Sequence, residues 1–136
     1  MDHLCPAIAA SNITHLDISN NYVSANGGTE KVVDMLKNNG ALTNLNISDN
    51  GLGERGAMIV AAALNGNKTM TELNLASNGM EKDGAIQFAK TIPTMGALTS
   101  LNIKHNNLGG YDDDDGEWIS DMTGVQALAA AIPECK

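Results

Sequence analysis

The residues best suited to chemistry lie together in one acidic stretch near the end of the chain. Residues 109–123 hold six carboxylates and no basic side chain, whereas the whole 136-residue chain has 16 acidic against 8 basic residues. The stretch also holds two of the four Phe, Trp and Tyr residues. Aromatic rings beside carboxylates can bind a basic protein partner, because the rings supply contact area and the charges complement the partner. The candidate binding residues of this stretch are Tyr111, Asp112, Asp113, Asp114, Asp115, Glu117 and Trp118.

Two other interpretations of the acidic stretch stay open. It can be a solvated charged loop that buries Tyr111 and Trp118 against the rest of the domain. It can also bind calcium, but a calcium loop needs acids at its first, third and fifth positions, a glycine at the sixth and a glutamate at the twelfth. With Gly116 in the sixth place, Tyr111 takes the first position and Met122 the twelfth. Calcium is therefore only a weak possibility, and no other cofactor or metal is predicted.

The remaining chemistry-bearing residues are scattered and predict no enzyme. His3, His15 and His105 are isolated, and the chain has no nucleophile elbow or Gly-rich phosphate loop. Cys5 and Cys135 match no metal or redox spacing, which favours small apolar residues in a cytoplasmic protein. The scarcity of basic and aromatic side chains argues against nucleic-acid binding, and no apolar run approaches the ~20 residues of a membrane helix.

An internal repeat organises the chain around the acidic stretch. Four segments, which begin at Ile13, Leu42, Met70 and Leu98, share a pattern of alternating apolar residues followed by asparagine. The second apolar anchors fall at positions 16, 45, 73 and 101, with steps of 29, 28 and 28 residues. Period-two alternation predicts short strands in which alternate residues, such as Leu45 and Ile47, point inward. The apolar spacing after each segment predicts one face of a helix, formed in the last repeat by Val125, Leu128, Ala129 and Ile132.

The repeated asparagines predict how the units join. Asn21, Asn50, Asn78 and Asn106 end the four segments, where a short amide can bond to the turn backbone of a neighbouring unit. The apolar side chains of one unit bury too little surface to offset the chain entropy lost on ordering it. The units must therefore stack and share their apolar faces, as in a solenoid.

The segment Leu42-Thr-Asn-Leu-Asn-Ile-Ser-Asp-Asn-Gly-Leu52, its three copies, the period near 28 and the Gly-Ala helix starts resemble leucine-rich repeats of the ribonuclease-inhibitor type. The resemblance covers residues 13–136. It implies an α/β solenoid in the form of a short right-handed horseshoe arc, with a parallel sheet on the concave side and helices on the convex side. It also implies protein–protein recognition inside cells.

We expect one leucine-rich-repeat domain over the whole chain. The acidic stretch then interrupts the last repeat, because Leu108 and Gly124 are 16 positions apart while Leu52 and Gly56 are 4 apart. Thr123 could cap the helix that follows. The expected parts are a residual N-terminal helix or cap over 1–12, repeats over 13–41, 42–69, 70–97 and 98–136, and an acidic loop insertion over about 109–123.

The outward residues of the predicted strands form the expected recognition face. This surface is rich in amides and lacks an aromatic anchor, so it predicts modest affinity for a protein partner. An alternative is that its asparagines form a solvated ladder that only stabilises the sheet. The candidate residues are His15, Asp17, Ser19, Asn44, Asn46, Ser48, Glu72, Asn74, Ser100, Asn102 and Lys104.

The preferred hypothesis is a non-enzymatic interaction module that binds a protein of unknown identity. One alternative is a regulator of a small GTPase, since the activating protein of Ran resembles this repeat type and is also acidic. Another is a purely structural or engineered short solenoid with no target. Both ends lack the polar caps that solenoids normally carry, so either the outer units pair end to end with another copy or the chain is a piece of a longer array.

Overall fold

Four three-residue strands form a parallel sheet in register. The structure, a computed structural model, describes residues 3–24 and 27–132. The strands pair in chain order, so that Leu16 lies beside Leu45, Leu45 beside Leu73, and Leu73 beside Leu101. Because the repeats are nearly equal in length, each strand meets the next at the equivalent residue. The strands are β1 (His15–Asp17), β2 (Asn44–Asn46), β3 (Glu72–Asn74) and β4 (Ser100–Asn102).

Helices return the chain from one strand to the next, and each helix packs against its neighbours in the stack. We use the word coil for one strand with its turn and its helix. A 3-10 turn, Ile92–Thr94, extends the fourth helix. The helices are α1 (Leu4–Ala9), α2 (Gly28–Asn38), α3 (Gly53–Leu64), α4 (Glu81–Thr91) and α5 (Thr123–Ala131). The fold is thus the predicted α/β solenoid.

Glycine in the first turn of these helices allows close contact between coils. A Cβ on Gly84 would lie 2.6 Å from Cγ of Met80 and 3.1 Å from Cβ of Ala57 in the preceding coil. A Cβ on Gly28 would lie 2.2 Å from the Val23 carbonyl oxygen of its own coil, and one on Gly124 would lie 2.9 Å from Cβ of Ala85 in the preceding coil. The repeated glycine is therefore a packing requirement of the stack.

The core follows the predicted alternation in the inner coils. Leu45, Ile47, Leu73 and Leu75 are buried, and Phe88 is fully buried between helices. The last coil differs, because Ile132 is 65% exposed and no further coil covers it within the described residues. Ala129 is also exposed, which makes the predicted burial of this helix face wrong for both residues. Cys5 is buried and free, in keeping with its predicted apolar role, and Cys135 lies outside the described residues.

A ladder of buried asparagines joins the coils. Oδ1 of Asn78 accepts the Asn50 backbone N–H at 3.1 Å, and its Nδ2 donates to the carbonyl oxygens of Ile47 at 2.9 Å and Leu75 at 3.1 Å. Asn50 and Asn106 make the same pattern of bonds to their own and the preceding coil. The predicted role of the repeated asparagines, which is to bond to the turn backbone of a neighbouring coil, is confirmed for Asn50, Asn78 and Asn106.

The first member of the asparagine series differs from the others. Asn21 is exposed, and its Nδ2 donates only to the nearby Ser19 carbonyl at 2.8 Å among the described residues. Within residues 3–24 and 27–132 it has no preceding strand to bind, since β1 is the first strand of the described sheet. The ladder therefore depends on a neighbouring coil at each step.

Two further sets of polar bonds between coils were not predicted, one made by a single asparagine and one by three equivalent threonines. Buried Asn39 donates to the Ile8 carbonyl at 2.8 Å and accepts the Leu42 N–H at 2.8 Å, which fixes the chain where it leaves α2. Hydroxyls of Thr43, Thr71 and Thr99 each donate at 3.1 Å to a carbonyl of the preceding coil. These threonines occupy the same position of the repeat, so the repeat itself carried the signal.

The turns after the strands place several residues in the left-handed region. Tyr22 has φ +49°, whereas Gly51 and Gly79 take the equivalent positions in the next two coils with φ +61° and +63°. A left-handed backbone costs a residue with a Cβ about 1–2 kcal/mol, and glycine escapes this cost. The Tyr22 ring is 78% exposed, so packing does little to offset the strain.

We predict that Asn78→Ala lowers the free energy of unfolding by about 2–4 kcal/mol, because it leaves buried backbone N–H and C=O groups of two coils without partners. Chemical denaturation followed by circular dichroism measures this loss. Asn21→Ala is the matched control, with an expected loss of less than about 1 kcal/mol since it removes one exposed local bond. Equal losses for the two variants would contradict a ladder that depends on neighbouring coils.

Candidate functional site

The concave side of the sheet forms a shallow groove of about 580 Å³. We call it the concave groove. Eight of the eleven predicted face residues line it, while Ser19, Ser48 and Lys104 lie beyond its rim. The lining residues from the prediction are His15, Asp17, Asn44, Asn46, Glu72, Asn74, Ser100 and Asn102.

The last residues of the four strands, Asp17, Asn46, Asn74 and Asn102, form a central column in the concave groove. The amides of its second half are held in fixed orientations. Oδ1 of Asn74 accepts the Ala76 N–H at 3.1 Å, and Oδ1 of Asn102 accepts the Lys104 N–H at 3.2 Å. Because the oxygen of each amide is tied to its own strand end, the NH₂ group points away from it. Within the described residues, neither Nδ2 has a hydrogen-bond partner. The groove therefore presents two oriented donors to whatever occupies it.

The first half of the column is acidic and internally bonded. Asp17 accepts the Ser19 hydroxyl at 2.7 Å and its N–H at 2.9 Å, and Nδ2 of Asn46 donates to the second Asp17 oxygen at 3.0 Å. The bonds from Ser19, followed by that from Asn46, lower the pKa of Asp17. This is the only bond between coils in the column among the described residues. A continuous asparagine ladder across the sheet, the alternative interpretation, is not formed there.

The acidic insertion is a β-hairpin, which the sequence analysis treated as a loop. β5 (Gly110–Asp112) and β6 (Trp118–Ser120) pair antiparallel, with Tyr111 opposite Ile119 and Asp112 opposite Trp118. Asp113 shapes the tip, since its Oδ1 accepts the N–H groups of Asp115 at 3.0 Å and Glu117 at 2.8 Å. Asp113 thus has a structural role, while Asp112, Asp114, Asp115 and Glu117 are exposed to solvent.

The two aromatic residues of the hairpin are available for contact. Trp118 is 52% exposed and Tyr111 is 44% exposed, so the interpretation that the insertion buries both rings is wrong. The Trp118 ring instead lies over Gly110, where a Cβ would be 2.7 Å from Cζ2 of the indole. Trp118 shares a face of the hairpin with its cross-strand partner Asp112. Because side chains alternate along a strand, Tyr111 lies on the opposite face.

The base of the hairpin is tied to the preceding coil. Nζ of Lys82, in α4, lies 3.0 Å from Oδ2 of Asp121, while Oδ1 of Asp121 accepts the Thr123 N–H at 3.0 Å. The predicted cap is therefore wrong: Thr123 begins α5, and Asp121 accepts from its backbone. Bonds from Thr123, then from Lys82, lower the pKa of Asp121 to about 2, and bonding to Asp121 raises the pKa of Lys82.

The part of the chain that the structure describes contains neither a group of metal ligands nor a membrane-spanning helix. Across residues 3–24 and 27–132, no three or more His, Cys, Asp or Glu side chains are grouped so as to hold a metal ion. Calcium binding by the insertion stays a prediction. The helices of the same residues include none with the length and apolar character needed to cross a bilayer.

The depressed pKa of Asp121 gives a direct titration test. Ionised Asp121 stabilises the hairpin base above its ordinary pKa of 3.8, and this contribution disappears as the pH falls through about 2. NMR titration of the carboxyl carbon should give that midpoint, and Asp121→Asn should remove it. We expect Thr123→Ala and Lys82→Met each to raise the midpoint, because each removes one of the side-chain bonds that lower the pKa of Asp121. An unchanged midpoint in both variants would contradict this assignment.

Comparisons with known proteins agree with the repeat architecture. The family model described as "Leucine Rich repeat" matches residues 9–30, 39–61 and 66–89, just over half of the chain. A search of curated proteins gives no match. A solved structure of "Leiomodin-1 Actin-Binding Site 2 (ABS2)" is similar, with a TM-score of 0.79 and 18% sequence identity over 98% of this chain and 73% of that one. At that identity the likeness shows the fold alone. From the family match, this chain belongs to the leucine-rich-repeat family.

Proposed function

We propose that this chain is a non-enzymatic protein-interaction module that binds a protein partner in the concave groove. The observation that carries the proposal is the pair of oriented amide donors on Asn74 and Asn102 within a groove of about 580 Å³. Their acceptor oxygens are already used, so a partner gains hydrogen bonds there without first reorienting the amides. Such preorganisation lowers the entropy that binding costs.

The acidic hairpin is a second contact region in this proposal. The described residues that line the concave groove include no aromatic side chain, whereas hot spots of protein interfaces are enriched in Trp, Tyr and Arg. Trp118 supplies a half-exposed indole beside Asp112, its cross-strand neighbour. A partner with an apolar pocket rimmed by basic groups would complement this face. Asp114, Asp115 and Glu117 add charge that steers such a partner during encounter.

Finer features of the proposal rest on the repeat pattern. The period near 28 residues and the regular strand–helix units support the ribonuclease-inhibitor type of repeat, a single domain and a cytoplasmic protein. End-to-end pairing of copies is part of the same proposal, supported by the exposed Ile132 at one end and Leu4 at the other. Calcium at the insertion stays a weak possibility.

Site-specific photocrosslinking tests which face binds the partner. A benzoylphenylalanine at Ser100, exposed in the concave groove, should yield a discrete protein adduct that mass spectrometry identifies. The same group at Lys90, exposed on α4, is the control and should not yield it. Equal capture from both positions would contradict recognition by the concave side.

With the captured protein purified, Asn74→Asp and Asn102→Asp should each weaken binding about tenfold, which corresponds to about 1.4 kcal/mol. Each change keeps the acceptor oxygen for the strand end but removes the amide donor. Isothermal titration calorimetry measures the affinity, with Lys90→Ala as the control that leaves it unchanged. Unaltered affinity in both Asp variants would show that the oriented donors do not bind the partner.

Purified proteins separate the alternative functions. The similar leiomodin-1 fragment is named as an actin-binding site, so actin co-sedimentation is the first defined assay. Stimulated GTP hydrolysis by a small GTPase would replace the interaction module with the regulator that the resemblance to the activating protein of Ran suggests. Failure to capture any partner from the concave side would favour a purely structural or engineered solenoid.

A further inference from the structure

A second groove follows the turns between the strands and the helices. We call it the turn groove. It encloses about 440 Å³, with Gly51 and Gly79 in its floor and Tyr22, Asp49 and Glu81 along it. Glu81 also lines an adjoining pocket of about 190 Å³, together with Tyr111 of the hairpin. The turn groove spans the first three coils, and none of the residues that line it lines the concave groove.

Two residues of the turn groove have a left-handed backbone at positions where other coils carry glycine. Tyr22 takes the position of Gly51 and Gly79, and Glu81, with φ +54°, takes the position of Gly53, with φ +68°. Asn107 has φ +52° at the position of Tyr22 in the fourth coil, so this conformation belongs to the repeated turn. Tyr22 differs from its equivalents by its ring, which is 78% exposed and so available for contact.

The charges along the turn groove are unbalanced. Asp49 and Glu81 have no side-chain hydrogen bond or ion pair to any residue that the structure describes. Glu54 and Asp83 line the adjoining pocket, where Glu54 accepts the Asp83 N–H at 2.8 Å. Lys82 is the one basic side chain lining either space within residues 3–24 and 27–132, and its ammonium is paired with Asp121 at 3.0 Å. The groove thus has open carboxylates and an exposed aromatic ring.

We propose that the turn groove binds an extended segment of a partner protein that is rich in lysine or arginine. Tyr22 offers its ring face to one cationic side chain, and the carboxylates of Asp49 and Glu81 pair with others. Two coil spacings of about 4.8 Å separate the coil of Tyr22 from the coil of Glu81, which an extended peptide spans with about four residues. The glycine floor lets the peptide backbone approach closely. This binding goes beyond recognition by the concave groove.

A defined peptide tests the proposal without knowledge of the natural partner. The probe is a fluorescein-labelled nine-residue peptide of alternating lysine and alanine, measured by fluorescence anisotropy at about 50 mM salt, where charge attraction is weakly screened. The double variant Tyr22→Gly, Asp49→Asn should weaken binding about tenfold. Its melting temperature should equal or exceed that of the unmodified chain, because glycine and asparagine tolerate the left-handed backbone.

The hairpin supplies a matched charge control. The variant Asp112→Asn, Asp114→Asn, Asp115→Asn removes three charges where the groove variant removes one, and its affinity should fall less than about threefold. The same peptide with glutamate in place of lysine should not bind. A larger loss in the hairpin variant than in the groove variant would overturn the proposal, since the peptide would then follow the charge of the insertion. Absence of binding to the unmodified chain, or a lower melting temperature of the groove variant, would overturn it as well.

Discussion

The second, third and fourth coils of this protein each place one asparagine amide where the strand ends, and that buried amide holds two coils together. Its oxygen accepts backbone N–H groups of the preceding coil, while its nitrogen donates to carbonyls of its own and the preceding coil. In an interior without water these backbone groups have no other partner, so the amide determines the spacing and register of the stack. The positions of both grooves follow from that register, because each is built from one or two residues per coil.

The stack also separates charge. The acidic residues Glu30, Glu54, Glu81 and Asp83 lie in the first turns of their helices, and Lys37 and Lys90 lie in the last turns. These placements complement the helix dipoles. Because all the helices run in the same direction across the solenoid, the effect adds up from coil to coil. The acidic hairpin emerges on the side where the helices begin, which concentrates negative charge along one edge of the molecule.

The sequence predicted the features that recur and missed those that occur once. Leu45 and Ile47 were placed inside correctly, because the same alternation returns in every repeat. The hairpin was not foreseen, because residues 109–123 have no second copy with which to align them, and the close approach of the Trp118 ring to Gly110 is visible only in the folded chain. Tyr22 gave no signal either. Its interest lies in a left-handed backbone shared with Gly51 and Gly79, and φ angles are not visible in the amino-acid order.

The hairpin leaves the last coil and returns to it at nearly the same point, since the Gly109 carbonyl accepts the Asp121 N–H at 2.9 Å. Everything between these two residues projects from a closed neck, so its length and sequence do not enter the spacing of the coils. Evolution or an engineer can therefore exchange the projecting segment for another with a similar closure. The solenoid would keep its geometry and carry a different projecting segment at the same position of the last coil.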